Sequence, residues 1–441
     1  MPPLIALTAC LVFIFILIRY DINRNNKCSV ALWVPIIWLL IIGSRPVDLW
    51  INPYSKEFDV NTAGNLINQI VDVILITAGI LILIRRKTSI QNVLLNNKSV
   101  FLFFLFCGIS ILWSDYPFIS LKRYFKAIGN IIVIMVIFTE SDPIEAINTV
   151  MRRCAYVIVP LSICLIKYFP FFGRWYNPWT GDLMIVGVTT DKNALGRVCM
   201  IFCLLYSWNF TYELRNKNYF RNFKEILIQF TIFVMMLWLL YSSQSATSLL
   251  CYIIGFTMII MLKIPVFRYR VKNIGIYIIV SLLFIYALDY IFNIREIVIT
   301  GLGRNTTFTE RDVIWKTLLN MGTNPWIGTG FESFWLGTRV SHIVFVLGYN
   351  PTESHNGYLE IYLNLGIVGL VLITSIFISC YMNIRRTFSD NYNFAVIGLV
   401  LLIVFLLYNI TEAAIRGTYI FWSILLIISI DYRSIVKNGN I

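Results

Sequence analysis

The stretch ESHNGYLEIYLNLGIVGL, residues 353–370, joins a polar cluster to the start of a long apolar run that continues to residue 382. His355 in this cluster is one of only two histidines in the chain. A helix needs about 20 mostly apolar residues to cross a bilayer, and this run is long enough. The pattern therefore predicts a membrane helix whose entrance carries a scarce histidine.

The composition is typical of an integral membrane protein. Of the 441 residues, 58% are hydrophobic and 13% are charged, with a mean hydropathy of +0.74, whereas soluble domains hold roughly 25% charged residues. One membrane-embedded domain, residues 1–441, is the natural unit. The net charge of +13 fits basic residues that anchor helix ends at a membrane face. Nucleic-acid binding is not expected, while anionic lipids and diphosphates suit this charge.

The cysteines and histidines do not indicate a metal site. None of the nine cysteines forms a CxxC pair, and only two histidines are present, so a zinc or haem signature is lacking. We therefore expect no metal and no cofactor. Leu4–Ile18 lacks a preceding basic region, so we interpret it as a first span rather than a cleaved signal.

The apolar segments predict an all-α polytopic bundle of about twelve or thirteen transmembrane helices. Loops on one side hold 21 lysines and arginines against 14 on the other, so the first side is expected to be cytoplasmic. The long loop 293–359 then faces outward, and its segment 309–321 is expected to form a short amphipathic helix at the membrane surface. The predicted spans are 3–18, 29–44, 66–84, 100–113, 127–139, 154–166, 193–210, 226–241, 246–262, 273–292, 360–382, 394–410 and 419–430.

His355 is the first candidate for chemistry. The apolar stripe that follows it predicts that His355 lies in the first turn of a helix, where the helix N-terminus favours a neutral imidazole. A neutral imidazole can accept a proton from a hydroxyl nucleophile, and Glu353 could steady the protonated form. A histidine that merely caps a turn at the interface fits the spacing as well. Gly366 and Gly369 are expected to allow close helix contact.

Several basic residues are candidates for phosphate binding. Arg311 and Trp315 share a helix face, which suits a phosphate headgroup, although an arginine that snorkels beside an interfacial tryptophan explains them equally. Arg304 lies in a glycine-flanked stretch and could be a solvated charge. Lys192 lies where an outer loop enters the membrane, and Arg197 follows one turn later, facing either an interior cavity or the surface.

Glu412 and Arg416 are four residues apart in the outer loop between the last two predicted spans. They are candidates for substrate binding. A plain ion pair along one helix is the simpler interpretation.

The quoted stretch resembles the H-N-x-x-L…G-x-x-G-L signature of the bacterial O-antigen ligase and polymerase superfamily. Four other stretches resemble that family in the same order, and the resemblance covers about residues 100–420. SQSATS and KNALGR place the exopolysaccharide-production branch nearest. The four stretches are WSDYPFISLKR (113–123), DKNALGR (191–197), SQSATSLL (243–250) and TERDVIWKTLLNMGTNPWIGTGFESFW (309–335).

The resemblance implies a metal-independent enzyme in the bacterial cytoplasmic (inner) membrane, with its active site facing the periplasm. Such enzymes polymerise or transfer polyprenyl-diphosphate-linked glycans onto a glycan or lipid acceptor. His355 matches the family histidine beside the acceptor hydroxyl, and Arg311 matches an arginine that binds the diphosphate. Membrane lipids and other polysaccharide export proteins are expected partners.

The predicted site therefore has His355 and Arg311 as catalytic residues. This chain departs from the family at Ala246, where many ligases have an arginine, and at Asp191, where this branch often has histidine. Arg197, Lys192 or Arg123 would then supply the second contact to the diphosphate, and polymerase activity is favoured over transfer to lipid A. The predicted substrate-binding residues are Arg304, Lys192, Asn193, Arg197, Glu353, Asn356, Glu412 and Arg416.

Two other classes of protein remain open. A flippase that transports lipid-linked oligosaccharides would place charges along a central cavity and would show inverted repeats. Here the polar cluster lies at the outer mouth, and no repeat is evident. A structural scaffold of an export machine would tolerate loss of both Arg311 and His355.

Overall fold

The fold is built from helices, as the sequence predicts. The computed structural model describes residues 1–432 except 25–27, 53–64, 177–180, 214–222, 266–308, 350 and 418. The predicted span 273–292 and Arg304 therefore lie outside the described residues. In the part of the chain that the structure describes, β1 (Arg174–Tyr176) and β2 (Leu183–Ile185) form the only pair of strands, a short antiparallel hairpin.

The helices are numbered in chain order over the described residues. Short 3₁₀ turns precede α2 at Val30–Leu32 and follow α6 at Ser110–Trp113. The helices are α1 (Pro3–Arg24), α2 (Trp33–Ile42), α3 (Val47–Ile51), α4 (Leu66–Arg85), α5 (Ile90–Asn96), α6 (Lys98–Ile109), α7 (Pro117–Ile137), α8 (Pro143–Tyr168), α9 (Pro170–Gly173), α10 (Lys192–Glu213), α11 (Phe223–Ser242), α12 (Ala246–Met261), α13 (Thr309–Leu319), α14 (Thr338–Leu347), α15 (Gly357–Asp390), α16 (Tyr392–Thr411) and α17 (Ile420–Ser429).

Seven of the described helices are long and apolar enough to cross a membrane: α1, α4, α8, α10, α11, α15 and α16. Five shorter apolar helical segments accompany them, and four of these coincide with predicted spans. The prediction of an all-α polytopic membrane protein is confirmed. Some boundaries differ: α8 starts at Pro143, before the predicted span 154–166, and α7 starts at Pro117, well before the predicted span 127–139. One of the charged residues in the first half of α7, Lys126, forms an ion pair of 2.9 Å with Asp72 of α4.

Polar contacts between helices tie the core together. Trp38 of α2 donates its indole N–H to Asn130 of α7 at 2.8 Å, and Ser423 of α17 donates to the same amide oxygen at 2.9 Å. All three side chains are buried. Hydrogen bonds between helices in a membrane contribute on the order of 1 kcal/mol each. These two bonds fix the last helix against the first half of the bundle.

Helix α15 is broken at Gly366, whose φ of +64° lies in the left-handed region. A loop enters the break: the amides of Thr329 and Gly330 donate to the carbonyls of Leu363 and Asn364 at 3.1 and 2.9 Å. In return, the amides of Ile367 and Val368 donate to the carbonyls of Pro325 and Trp326 at 2.9 and 3.1 Å. A Cβ at Gly366 would lie 2.2 Å from the carbonyl carbon of Trp326. Gly366 therefore admits a loop, where the sequence suggested only close helix contact.

The segments around α13, α14 and the start of α15 share a second hydrophobic core. Helix α13 is confirmed over most of the predicted 309–321, and it buries Ile314 and Leu318. Val313 of the same helix is 52% exposed. The buried face thus packs against protein and fixes α13 over the entrance of α15. The core consists of Ile314, Leu318, Phe334, Trp335, Val340, Ile343 and Leu363.

Candidate active site at the entrance of helix α15

His355 lies just before α15 and not in its first turn, so that prediction is wrong. The helix starts at Gly357, and Asn356 caps it by accepting the amides of Tyr358 and Leu359 at 3.0 Å. His355 itself has a φ of +51°, a left-handed conformation that non-glycine residues adopt uncommonly. The cap uses the side-chain oxygen of Asn356, so this predicted substrate-binding residue also has a structural role.

The imidazole of His355 lies between two carboxylates. Its Nδ1 is 3.2 Å from Oε1 of Glu353 and 3.6 Å from Oε2 of Glu412. Both carboxylates therefore lie close enough to stabilise a protonated ring. Burial favours the neutral ring, but the two carboxylates outweigh it and raise the pKa of His355 to about 10. The expectation of a neutral imidazole is therefore wrong, because it considered only the helix N-terminus.

Glu412 brings three elements of the site together. Helix α16 ends at Thr411, and the backbone carbonyl of Glu412 accepts the amide of Gly357 at 3.2 Å. Its side chain is 3% exposed, and Oε1 lies 3.3 Å from the guanidinium of Arg311. The same oxygen accepts a hydrogen bond of 3.2 Å from Asn193 of α10. A local helix pair with Arg416 is thus wrong, since the helix ends before Glu412.

Arg416 pairs with other acids. Its guanidinium lies 3.8 Å from Glu353 and 3.8 Å from Glu360, the buried acid in the first turn of α15. Burial would raise the pKa of Glu353, but His355 and Arg416 together lower it. The hydroxyl of Tyr419 also donates to Glu353 at 3.2 Å. Glu353 is therefore an ionised carboxylate at the centre of the cluster.

Arg197 is buried, and no carboxylate in the part of the chain that the structure describes forms an ion pair with it. Its guanidinium carbon lies 4.1 Å from the centre of the Tyr419 ring, and its Nε has no hydrogen-bond partner. The side chain faces an interior cavity of about 200 Å³, which Lys126 and Asp72 also line. Of the two orientations that the sequence left open, the structure shows the interior one. Lys192, one turn earlier, is half-buried at the start of α10.

Two buried contacts hold the loop that carries His355. Trp335 donates its indole N–H to both oxygens of Glu360 at 2.8 and 2.9 Å. Glu360 also accepts the amide of Ser354 at 3.2 Å. Sequence reasoning missed Glu360, although an acid in an apolar helix is a functional signal.

Arg45 was also missed. Its guanidinium donates to the backbone carbonyls of Phe172, Gly187, Val188 and Thr189 at 2.8 to 3.2 Å. These carbonyls precede α10, which carries three predicted site residues, Lys192, Asn193 and Arg197. A lone arginine before a proline gives no sequence signal for this role, because its acceptors lie more than a hundred residues away.

The ligand atoms of Glu353, His355 and Glu412 lie within 4.8 Å of one another, close enough for a divalent cation. Arg311 and Arg416 already face these carboxylates. An added cation would have to overcome that positive charge. The chemistry of the donor set therefore favours an ion-pair cluster, and metal independence remains a prediction.

The chain is similar in sequence to one protein family and to two proteins of polysaccharide synthesis. Residues 231–374 match the family described as O-antigen ligase. The chain is 22% identical over 305 residues to the exopolysaccharide production protein ExoQ of Rhizobium meliloti, covering 66% of each chain. It is 24% identical over 326 residues to a predicted polysaccharide ligase of Rickettsia felis, covering 72% of this chain and 75% of the relative.

The matched segment runs from within α11 past the break in α15. It contains Arg311, Glu353 and His355, whereas Arg197, Glu412 and Arg416 lie outside it. The family and the relatives indicate a ligase-like or polymerase-like function in the membrane. The resemblance predicted from the motifs is confirmed. These similarities support the O-antigen ligase superfamily, near its exopolysaccharide-production branch.

Proposed function

We propose that this protein polymerises or transfers polyprenyl-diphosphate-linked glycans on the periplasmic side of the cytoplasmic membrane. One observation carries the proposal: Arg311 and His355 converge on Glu412, although the three residues come from separate segments. A partly buried site that combines arginines, an imidazolium and carboxylates can bind a diphosphate and move a proton. The same chemistry serves polymerisation onto a glycan acceptor and transfer to a lipid acceptor.

Arg197 is the best of the three candidates for the second diphosphate contact. It is buried, and no carboxylate among the described residues pairs with it. Arg123 already donates to the carbonyl of Glu332, and Lys192 is only half-buried. Arg197 therefore supplies the positive charge that the serine-rich motif lacks at Ala246.

The reaction breaks the bond between the anomeric carbon and the diphosphate oxygen, which keeps the electron pair. Arg311, Arg197 and protonated His355 stabilise the charge that develops there, by preorganised electrostatics. The acceptor oxygen forms the new bond to the anomeric carbon, and its proton passes to a base. Because His355 holds its own proton, Glu353 is the adjacent carboxylate that receives it.

The test uses purified protein in detergent with a polyprenyl-diphosphate-linked oligosaccharide, and it follows donor consumption and release of polyprenyl diphosphate. We expect turnover by the native protein and a loss of about 10²-fold or more for His355→Ala. His342→Ala is the matched control, since His342 is the second histidine and is exposed on α14. Product formation that is near normal in His355→Ala would remove His355 from the site.

A flippase is the second candidate function, favoured by the cavity beside Arg197, whose lining includes the charged side chains of Asp72 and Lys126. In detergent a flippase has no compartments to connect, so it would leave the donor intact. Donor that stays unconsumed while the protein binds it would favour transport over glycan transfer.

A further inference from the structure

The carboxylate of Glu412 is surrounded by groups that recognise anions. Oε1 faces Arg311 at 3.3 Å and Asn193 at 3.2 Å, while Oε2 faces His355 at 3.6 Å. The side chain is almost fully buried, with 3% exposure. A guanidinium, an amide N–H and an imidazolium are also the donors that bind a phosphate group.

We propose that the Glu412 carboxylate holds the position of a substrate phosphate before the donor binds and exchanges with it during turnover. This inference rests on the proposed function, because it takes the ligand to be a diphosphate. Two anions cannot share one set of donors without strong repulsion. Binding of the diphosphate therefore requires the carboxylate to withdraw from Arg311.

The backbone around Glu412 permits this exchange. Helix α16 ends at Thr411 and α17 starts at Ile420, so Glu412 opens a short non-helical link. Its carbonyl is held by the amide of Gly357, which leaves the side chain as the moving part. Rotation of the Glu412 side chain alone frees Arg311, Asn193 and His355 to bind the phosphate.

Glu353 does not compete for this role. Its oxygens face His355, Arg416 and the hydroxyl of Tyr419, and no contact joins it to Arg311 among the described residues. The two acids thus have different roles. Glu353 lies at the reacting centre, whereas Glu412 regulates access to Arg311.

The exchange would promote product release. When the glycosidic bond breaks, the departing diphosphate gains negative charge, so arginines hold the product more tightly than the substrate. A resident carboxylate that returns to Arg311 opposes this retention. Glu412 thereby limits inhibition by polyprenyl diphosphate.

Binding of inorganic pyrophosphate to the purified full-length protein in detergent tests the proposal. Glu412→Gln keeps the size of the side chain and removes the charge, and we expect pyrophosphate to bind about tenfold more tightly. Glu412→Asp draws the carboxylate back from Arg311 and should bind it a few-fold more tightly, which decides the matter should the glutamine variant misfold. Unchanged or weaker binding in the folded variant would overturn the exchange.

Glu140→Gln is the matched control. Glu140 is also a buried acid, and it contacts Arg86 at 2.8 Å and Ser29 at 2.6 Å, away from the site. It should not alter pyrophosphate affinity. The measurement needs no glycan transfer, so tighter binding in an inactive protein would remove the proposed function and keep the anion exchange. Glycan transfer by a protein whose pyrophosphate affinity is unchanged in Glu412→Gln would remove the anion exchange and keep the proposed function.

Discussion

The indole N–H of Trp315 donates a hydrogen bond of 2.8 Å to the backbone carbonyl of Ser354, the residue immediately before His355. Ser354 is fully buried, and its amide donates to Glu360. Helix α13 therefore does more than present Arg311 to the site. It also positions the residue that carries the imidazole.

Trp315→Phe removes this hydrogen bond and retains the aromatic packing. We expect kcat to fall about tenfold because His355 loses its support, while pyrophosphate affinity stays unchanged because Arg311 remains in place. The measurements are turnover and pyrophosphate binding in detergent. Trp326→Phe is the control, since that side chain is 64% exposed. Equal losses in both variants would contradict the positioning role.

The raised pKa of His355 predicts a pH-dependent stability. The folded-state pKa of about 10 exceeds the ordinary value of 6.5, so the ion pairs stabilise the fold fully below about pH 6.5. This stabilisation decreases as the pH rises towards 10. The difference in melting temperature between the native protein and His355→Asn should therefore shrink from pH 6 to pH 10. Asparagine tolerates the positive φ, and a difference that stays constant would contradict the ionic contacts.

Gly366→Ala should destabilise the protein more than Gly322→Ala. Both glycines have positive φ, +64° and +66°, but a Cβ at Gly322 meets nothing within 4 Å. Backbone strain alone costs about 1–2 kcal/mol. At Gly366 the Cβ also expels the loop at Trp326, so we expect roughly twice that loss or more. Thermal or denaturant unfolding of both variants measures the difference, and equal losses would show that the loop tolerates the methyl group.

Arg45→Lys should loosen the segment before α10. Lysine keeps the charge but cannot donate to four carbonyls in the arrangement that the guanidinium reaches. We expect about 2 kcal/mol of lost stability and a higher KM for the donor, since Asn193 and Arg197 follow this segment. Arg339→Lys, at an exposed ion pair with Asp115, should change neither. Unaltered proteolysis near Val188 in Arg45→Lys would argue against this role.

The apolar runs predicted the helices well, because length and hydropathy alone decide whether a segment can cross a bilayer. The motifs also identified Arg311, His355, Glu353, Glu412 and Arg416, which the structure brings together. Their pairing could not be predicted. Glu412 meets Arg311 across about a hundred residues of chain, and spacing rules describe only neighbours on one helix.

The protonation of His355 was missed for the same reason, since it depends on an acid from another segment. The break at Gly366 was missed because a glycine in an apolar run fits close helix packing as well as a loop. Ile367 and Val368 look like ordinary helix residues in the sequence. Only the partner carbonyls of Pro325 and Trp326 distinguish the two cases.

The interrupted ladder of α15 also affects how the protein is assembled. Backbone groups that lack partners inside a bilayer are costly, and Leu363, Asn364, Ile367 and Val368 obtain theirs from residues 325–330. Helix α15 therefore cannot satisfy all of its backbone hydrogen bonds by itself when it inserts into the membrane. Its biogenesis and the closure of the neighbouring loop are one event, so a chain that inserts correctly has already built the entrance to its own site.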